Sequence, residues 1–448
     1  MNHHLTKEKS NDCRSLNLLT IRSRNMNRIQ KEMRRGGKSG MWAILQSNPK
    51  FVKFWLGLWC SELGDWIRKM ALMYLVLDMS GGSAVAVSIN LFCEFGPLVV
   101  LGLFVGVYAD RWDHRKTMLG AIVLRVVLMA LLILAVLIDS LMIVYAVSFF
   151  SAIGTVLFRA PSSAFTMRLV PKEQLKSAAS LRQMATSSMF LIGPPAGTLL
   201  YFWLGTAGAL AMAIAFLLLN YALFGAIKLA KLEKTGTALR GPSGVLSEMK
   251  DGLRQAWHNK MVRPLLYSNV LFGISSGLSN VLSIFILTEF LGQPKEAFSI
   301  FVAVQGGGML LATFVVPKLK VSRQALLSGG MLVMGLGALG MVSYPHFLLP
   351  YSFVVLFAFG MVAFNISFAT VLQTTVDISY QGRVSTTLMT VATGVMALTM
   401  PIAGWLHELF PVQPILLGAG CSILLGGLLL LVMYKRVPID SQEKPLAL

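Results

Sequence analysis

The chain of 448 residues is 55% hydrophobic and only 13% charged, with a mean hydropathy of +0.68. A soluble domain carries about a quarter charged residues, so this composition excludes an ordinary water-soluble fold. A formal charge of +19 invites a nucleic-acid reading, but nearly every cation falls in alternate gaps between apolar runs, with Lys295 alone in the others, which is the positive-inside pattern of a membrane protein.

The first forty residues are basic and lack the apolar stretch of a signal peptide. Adsorption to anionic lipid is one reading. The favoured expectation is a translation start at Met41, because Gly36-Gly37 can be encoded by a ribosome-binding sequence three codons upstream.

Breaking the apolar runs at Gly, Pro and charge clusters predicts twelve spans. Each is near the 20 or so apolar residues that cross a bilayer. The first, 51–77, contains Glu62, Asp65, Arg68 and Lys69. Charges inside a span are expensive and are functional candidates. Asp65 stands three and four residues before Arg68 and Lys69, so a locally neutralised cluster is expected there. Glu62 has no such partner and lies roughly 16 Å from the inner end of the span at 1.5 Å per residue. In the second span, 83–108, Glu94 lies at roughly 21 Å by the same rise. A carboxyl group held away from bulk water can exchange a proton near neutral pH, so Glu94 and Glu62 are the first proton-coupling candidates and Asp65 the next. Arg125, in the third span at 117–138, either snorkels to the cytoplasmic face or pairs with a cavity carboxylate, the former being favoured.

The fourth, fifth and sixth spans are 140–158, 180–203 and 207–227, and cations between 159 and 182 read as a cytoplasmic loop cluster. The fifth contains Gly193-Pro194-Pro195-Ala196-Gly197, where proline removes a helical hydrogen bond and bends the helix. The remaining spans are 264–288, 297–316, 324–343, 347–372, 384–409 and 412–434. An even number puts both ends on the cation-rich, cytoplasmic side. The expected organisation is a basic segment at 1–47, a six-helix half at 48–228, a linker at 229–260, a second half at 261–434 and a tail at 435–448. Gly335-Leu-Gly-Ala-Leu-Gly340 matches a dinucleotide fingerprint only in letters, since no strand precedes it. The four cysteines are isolated, and no cofactor, metal site or nucleophile constellation is implied.

The halves repeat. A shift of 206 residues carries Pro195 onto Pro401 and Val170 onto Val376, and a shift of 211 carries Asn48 onto Asn259. Residues 106–116, GVYADRWDHRK, lie between spans two and three. They resemble the loop motif of the major facilitator superfamily, with Gly106, Asp110, Arg111 and Arg115 matching, while Asp113 and His114 stand where Gly and Arg are usual. Residues 193–197 resemble the GPxxGG element of drug–proton antiporters in Gly193, Pro194 and Gly197. SELGDWIRKMAL in the first span and LVPKEQLKSAASL after the fourth resemble the branch that includes macrolide-efflux proteins and the enterobactin exporter.

The resemblance implies an all-α integral membrane fold of twelve transmembrane helices in two pseudo-symmetric halves, acting as a monomeric secondary transporter in a prokaryotic plasma membrane. It implies export of amphipathic, drug-like or macrolide-like molecules by alternating access in exchange for protons, with Na⁺ as the alternative ion. Asp110 would latch the halves through a neighbouring helix N-terminus, and the cavity would lie between the halves, lined by spans one, two, four, five, seven, eight, ten and eleven. The rival readings are transport of a physiological amphiphile, such as a siderophore or lysophospholipid, and a non-transporting sensor.

Overall fold

The computed structural model describes residues 41–109, 113–171, 174–227, 242–343 and 348–435. Its helices are α1 (Met41–Ser47), α2 (Pro49–Met79), α3 (Ala84–Ala109), α4 (His114–Leu137), α5 (Leu141–Leu169), α6 (Leu175–Gly225) and α7 (Pro242–His258). They continue with α8 (Arg263–Phe285), prolonged by a π turn at Ile286–Phe290, then α9 (Ala297–Val315), α10 (Arg323–Ser343), α11 (Leu349–Thr375), α12 (Ile378–Leu409) and α13 (Val412–Lys435). No strand occurs among the described residues.

Ten of these helices are long and apolar enough to cross a bilayer. Helix α6 counts twice, because its 51 residues are broken at Gly205, whose φ of 68° and ψ of 179° reverse the chain where a β-carbon would be strained. Helix α2 is the twelfth. Its 31 residues carry Glu62, Asp65, Arg68 and Lys69 close together, yet it packs along α6 like a span. The twelve-helix expectation therefore agrees with the fold.

Three boundaries lie furthest from the expected ones. Helix α5 does not stop at 158 but continues through Arg159 and Pro161 to Leu169, α6 begins at Leu175 rather than 180, and α12 begins at Ile378 rather than 384. A charge ends an apolar pattern in the sequence, but it need not end the helix when the side chain faces a polar cavity instead of lipid. Residues 159–169 are thus helix, not loop.

Local chemistry fixes the helix starts. Asn48 caps α2 by accepting from Phe51 N, with Pro49 at the first helical position. Asp113, the residue where the loop motif usually has glycine, caps α4 by accepting from Arg115 N and Lys116 N. The first half is drawn together at this end by Phe54, Phe165 and Phe224, fully buried rings from α2, α5 and α6, with the last two 4.8 Å apart. The internal repeat has a physical counterpart. Asn48 Nδ2 donates to Leu169 O at 2.6 Å, and Asn259 Nδ2 donates to Thr375 O at 3.3 Å, so the same tie closes each half.

Between the halves, α6 packs on α9 and α3 on α12. Gly306 lies against the backbone of Phe190 and Leu191, and Gly404 lies against Ser88 and Ala84. Any β-carbon at either glycine would sit within 3 Å of these atoms, so the two seams are closed by contact that only glycine permits. Helix α7, in the segment expected to link the halves, packs on α12, with Gly252 against Thr387.

Candidate functional site

The charges within the first half are brought together by α2, α3, α4, α5 and α6. They do not pair along α2 as the spacing suggests. Arg68 Nη2 donates to Glu94 Oε1 at 2.7 Å, joining α2 to α3 with both residues buried. Arg125 crosses from α4 to α2, where it donates to the Asp65 carboxylate and, at 2.9 Å, to Ser61 Oγ. Its side chain is 4% exposed, so the alternative of pairing wins over snorkelling. Gly154 of α5 makes this reach possible: a β-carbon there would lie 2.7 Å from Arg125 Cγ. Lys69 is not in an ion pair with Asp65; its ammonium sits 5.2 Å from the centre of the Trp66 ring.

Beside these pairs is a cavity of 390 Å³. Its polar wall includes Ser61, Glu62 and Asp65 of α2, Arg125 of α4, Arg159 and Ser162 of α5, and Arg182 of α6. The apolar wall includes Leu58, Phe158 and Ala185. Every lining residue of this cavity comes from the first half. Glu62 has neither a hydrogen bond nor an ion pair with another described residue, although Arg159 and Arg182 lie within electrostatic reach. Arg182 donates to Thr166 Oγ1 at 3.1 Å and to Ser162 Oγ at 3.2 Å.

Arg159 and Arg182 are the site residues that the sequence reading assigned to a cytoplasmic loop. A signal for them was present. Arg159, Ser162 and Thr166 recur at three- and four-residue spacing, which places them on one helical stripe, and that stripe is where Arg182 lies.

The remaining expected site residues fall elsewhere. Gly193 and Gly197 pack against α2 of their own half, on Trp66 and on Ile67 and Met70 respectively, while the face toward the second half is made one turn earlier by Phe190 and Leu191. The helix continues through Pro194, which is buried. Next to them Thr198 shares a hydrogen bond of 3.0 Å with Tyr74. Asp110, Arg111 and the packing around Gly106 lie outside the described residues. Arg115 donates to Gly225 O at 2.6 Å, compensating the carbonyl end of α6 within the first half.

At the face opposite the chain ends, the halves are tied by charge. Lys295, the one cation in those gaps, reaches Asp78 Oδ1 at 2.6 Å, while Tyr201 donates to Asp78 Oδ2 at 2.6 Å. Tyr74 adds a 3.4 Å hydrogen bond to Lys295 O.

Comparison with known proteins agrees with this architecture. The family model described as Major Facilitator Superfamily matches residues 54–398. The chain is 28% identical over 391 residues to the MFS-type transporter YfiS of Bacillus subtilis, covering 84% of this chain and 91% of that one. It is 24% identical over 410 residues to macrolide efflux protein A of Streptococcus pyogenes, covering 89% and 98%. Among solved structures, the nucleoside transporter NupG superimposes with a TM-score of 0.70 at 12% identity, covering 87% of this chain and all of that one. A bacterial homologue of the iron transporter ferroportin, in an inward-facing state, gives 0.68 at 13% identity, covering 86% and 99%.

Proposed function

The chain belongs to the Major Facilitator Superfamily, and on that premise we propose that it is a proton-coupled exporter of amphipathic small molecules working by alternating access. As a member of that family it is a multi-pass membrane transporter and not an enzyme. The similarity to macrolide efflux protein A supports export and a drug-like substrate.

The observation that carries the proposal is the contrast among three carboxyl groups. Asp65 and Glu94 each have a guanidinium of their own, whereas Glu62 faces the cavity without one. Adding a proton to the carboxylate of Asp65 or Glu94 would leave a buried arginine uncompensated, which is strongly unfavourable. Glu62 changes charge without breaking a pair. It is therefore the group we assign to proton exchange, ahead of Glu94. The binding cavity is the one beside it, and the substrate and the proton compete at the same carboxylate.

The tie between Asp78 and Lys295 supports a state closed at the far face, with the cavity serving the side of the chain ends. By the distribution of cations that side is the cytoplasm. Loading there, opening at the far face and return with a proton would complete an export cycle.

Glu62→Gln tests the assignment in proteoliposomes bearing an imposed pH gradient. Gradient-driven export should be lost while the protein is still extracted folded, and collapsing the gradient in cells expressing the unaltered chain should raise accumulation of a labelled macrolide. Export by Glu62→Gln that still follows the gradient would remove the proton-site assignment. Accumulation indifferent to the gradient across a broad panel of amphiphiles would remove proton-driven export.

A further inference from the structure

The first-half cavity carries an imbalance that proton exchange alone does not require. Its walls hold three guanidiniums, Arg125, Arg159 and Arg182, against two carboxylates, Glu62 and Asp65. Arg125 and Asp65 satisfy each other. What is left is two arginines sharing one unpaired glutamate.

Their surroundings separate them from the two buried arginines of the same half, Arg68 and Arg125. Arg68 and Arg125 each have a carboxylate of their own. Arg182 is held only by the neutral hydroxyls of Ser162 and Thr166, which are 2% and 5% exposed. Those hydroxyls fix the direction of the guanidinium without compensating its charge. Thr166 is itself oriented by donating to Ser162 O at 2.9 Å. Arg159 stands on the same stripe of α5, one turn before Ser162, or roughly 4.5 Å along the axis. It is exposed to the cavity. The apolar run of α5 ends at Arg159 while the helix continues to Leu169, so this guanidinium stands at the edge of the span and over the cavity.

A guanidinium drawn away from bulk water onto neutral hydroxyls, as Arg182 is, is costly unless something compensates it. The same half compensates two arginines with carboxylates, so leaving Arg182 on neutral hydroxyls and Arg159 facing the same cavity without an ion pair to a described residue reserves them for a charge that arrives and departs. Two guanidiniums lining one cavity suit an oxyanion, which accepts several charge-assisted hydrogen bonds at once. We propose that the substrate is a zwitterionic amphiphile whose carboxylate, sulfonate or phosphate group binds Arg159 and Arg182 while its basic group meets Glu62. This rests on reading the cavity as the substrate site and Glu62 as the proton carrier. The basic group follows from that exchange: a ligand bringing only negative charge would favour retention of the proton, and only a cationic group displaces it. Leu58 and Phe158 offer the apolar body of the ligand its contact.

A matched series of dansyl fluorophores tests the charge pattern on the full chain in detergent at one fixed pH. The series comprises Nε-dansyl-lysine as zwitterion, dansylglycine as acid, its methyl ester as neutral form and dansylcadaverine as amine. Binding is read from dansyl fluorescence, with folding of each variant confirmed by its thermal unfolding midpoint. The zwitterion should bind about tenfold or more tightly than the amine, the range expected for hydrogen bonds to a charged group. Arg159→Gln and Arg182→Gln should each bring that ratio close to one, with Arg159→Lys retaining part of it.

Equal or tighter binding of dansylcadaverine by the unaltered chain would overturn the proposal. So would a zwitterion-to-amine ratio unchanged in both glutamine variants, or failure of all four probes to bind. Proton coupling is read separately, from gradient-driven flux in proteoliposomes. A preserved ratio with gradient-independent flux would therefore sink the coupling and not the oxyanion site, whereas a lost ratio with intact coupling would do the reverse.

Discussion

The two halves share a helix plan but solve the bilayer problem in opposite ways. In the first half, α2 to α6 bury a polar network of arginine, lysine and carboxylate side chains. In the second, the charged residues among those described stand at the ends of the spans, as with Arg263, Glu289, Arg323 and Lys435, and the interiors are uncharged. At the 211-residue shift that matches Asn48 to Asn259, Glu62, Asp65 and Arg68 fall on Gly273, Ser276 and Ser279. At the 206-residue shift, Arg159 and Arg182 fall on Asn365 and Leu388. Where the first half opens a cavity beside Glu62, the second closes tightly, because Gly273 and Gly277 let α8 approach the backbone of α12. The difference teaches that one duplicated plan supports two tasks: a half that carries charge chemistry, and a half that is packed as a rigid partner for it to move against.

Breaking an ion pair should have the largest effect on stability. Asp65→Asn leaves Arg125 buried without its countercharge, and losses of this kind are about 3–5 kcal/mol. The variant should show a sharply lower unfolding midpoint in detergent; a midpoint near that of the unaltered chain would mean that water, not Asp65, compensates Arg125. The corresponding position in the second half, Ser276, has no such role, and Ser276→Ala should leave the midpoint nearly unmoved.

An intermediate effect should separate the cavity from its packed counterpart. At Gly273 a β-carbon would meet Ala392 O at 2.7 Å, so Gly273→Ala should cost about 1–3 kcal/mol, as overpacking does. Glu62→Ala, at the related position of the first half, removes a side chain facing the cavity and should stay within about 0.5 kcal/mol, in the range of substitutions that break no contact. If unfolding measurements rank the two the other way round, the glutamate is structural.

The smallest effect tests what the halves retain in common. Asn48→Ala and Asn259→Ala each remove an interhelical tie of the same type, worth about 1 kcal/mol. Their unfolding midpoints should fall by similar amounts. A marked inequality would mean that one half carries the stability of the whole.

Composition and the spacing of apolar runs were sufficient to determine the twelve spans, the side on which the cations gather and the repeat that Asn48 and Asn259 express, because burial in lipid imposes a length and a polarity on each helix independently of its neighbours. The loop motif at 106–116 and the antiporter-like element at 193–197 carried the family resemblance in the same local way. Which charge meets which was decided only in three dimensions. Helical spacing puts Asp65 beside Arg68 and Lys69, but the rotation of α2 against α3 and α4 gives Arg68 to Glu94 and Asp65 to Arg125. Arg159 and Arg182 looked like loop cations because a charge interrupts an apolar run, whether it faces the cytoplasm or a cavity. Depth along a helix can be read from one sequence, whereas the direction a side chain faces depends on the helices around it.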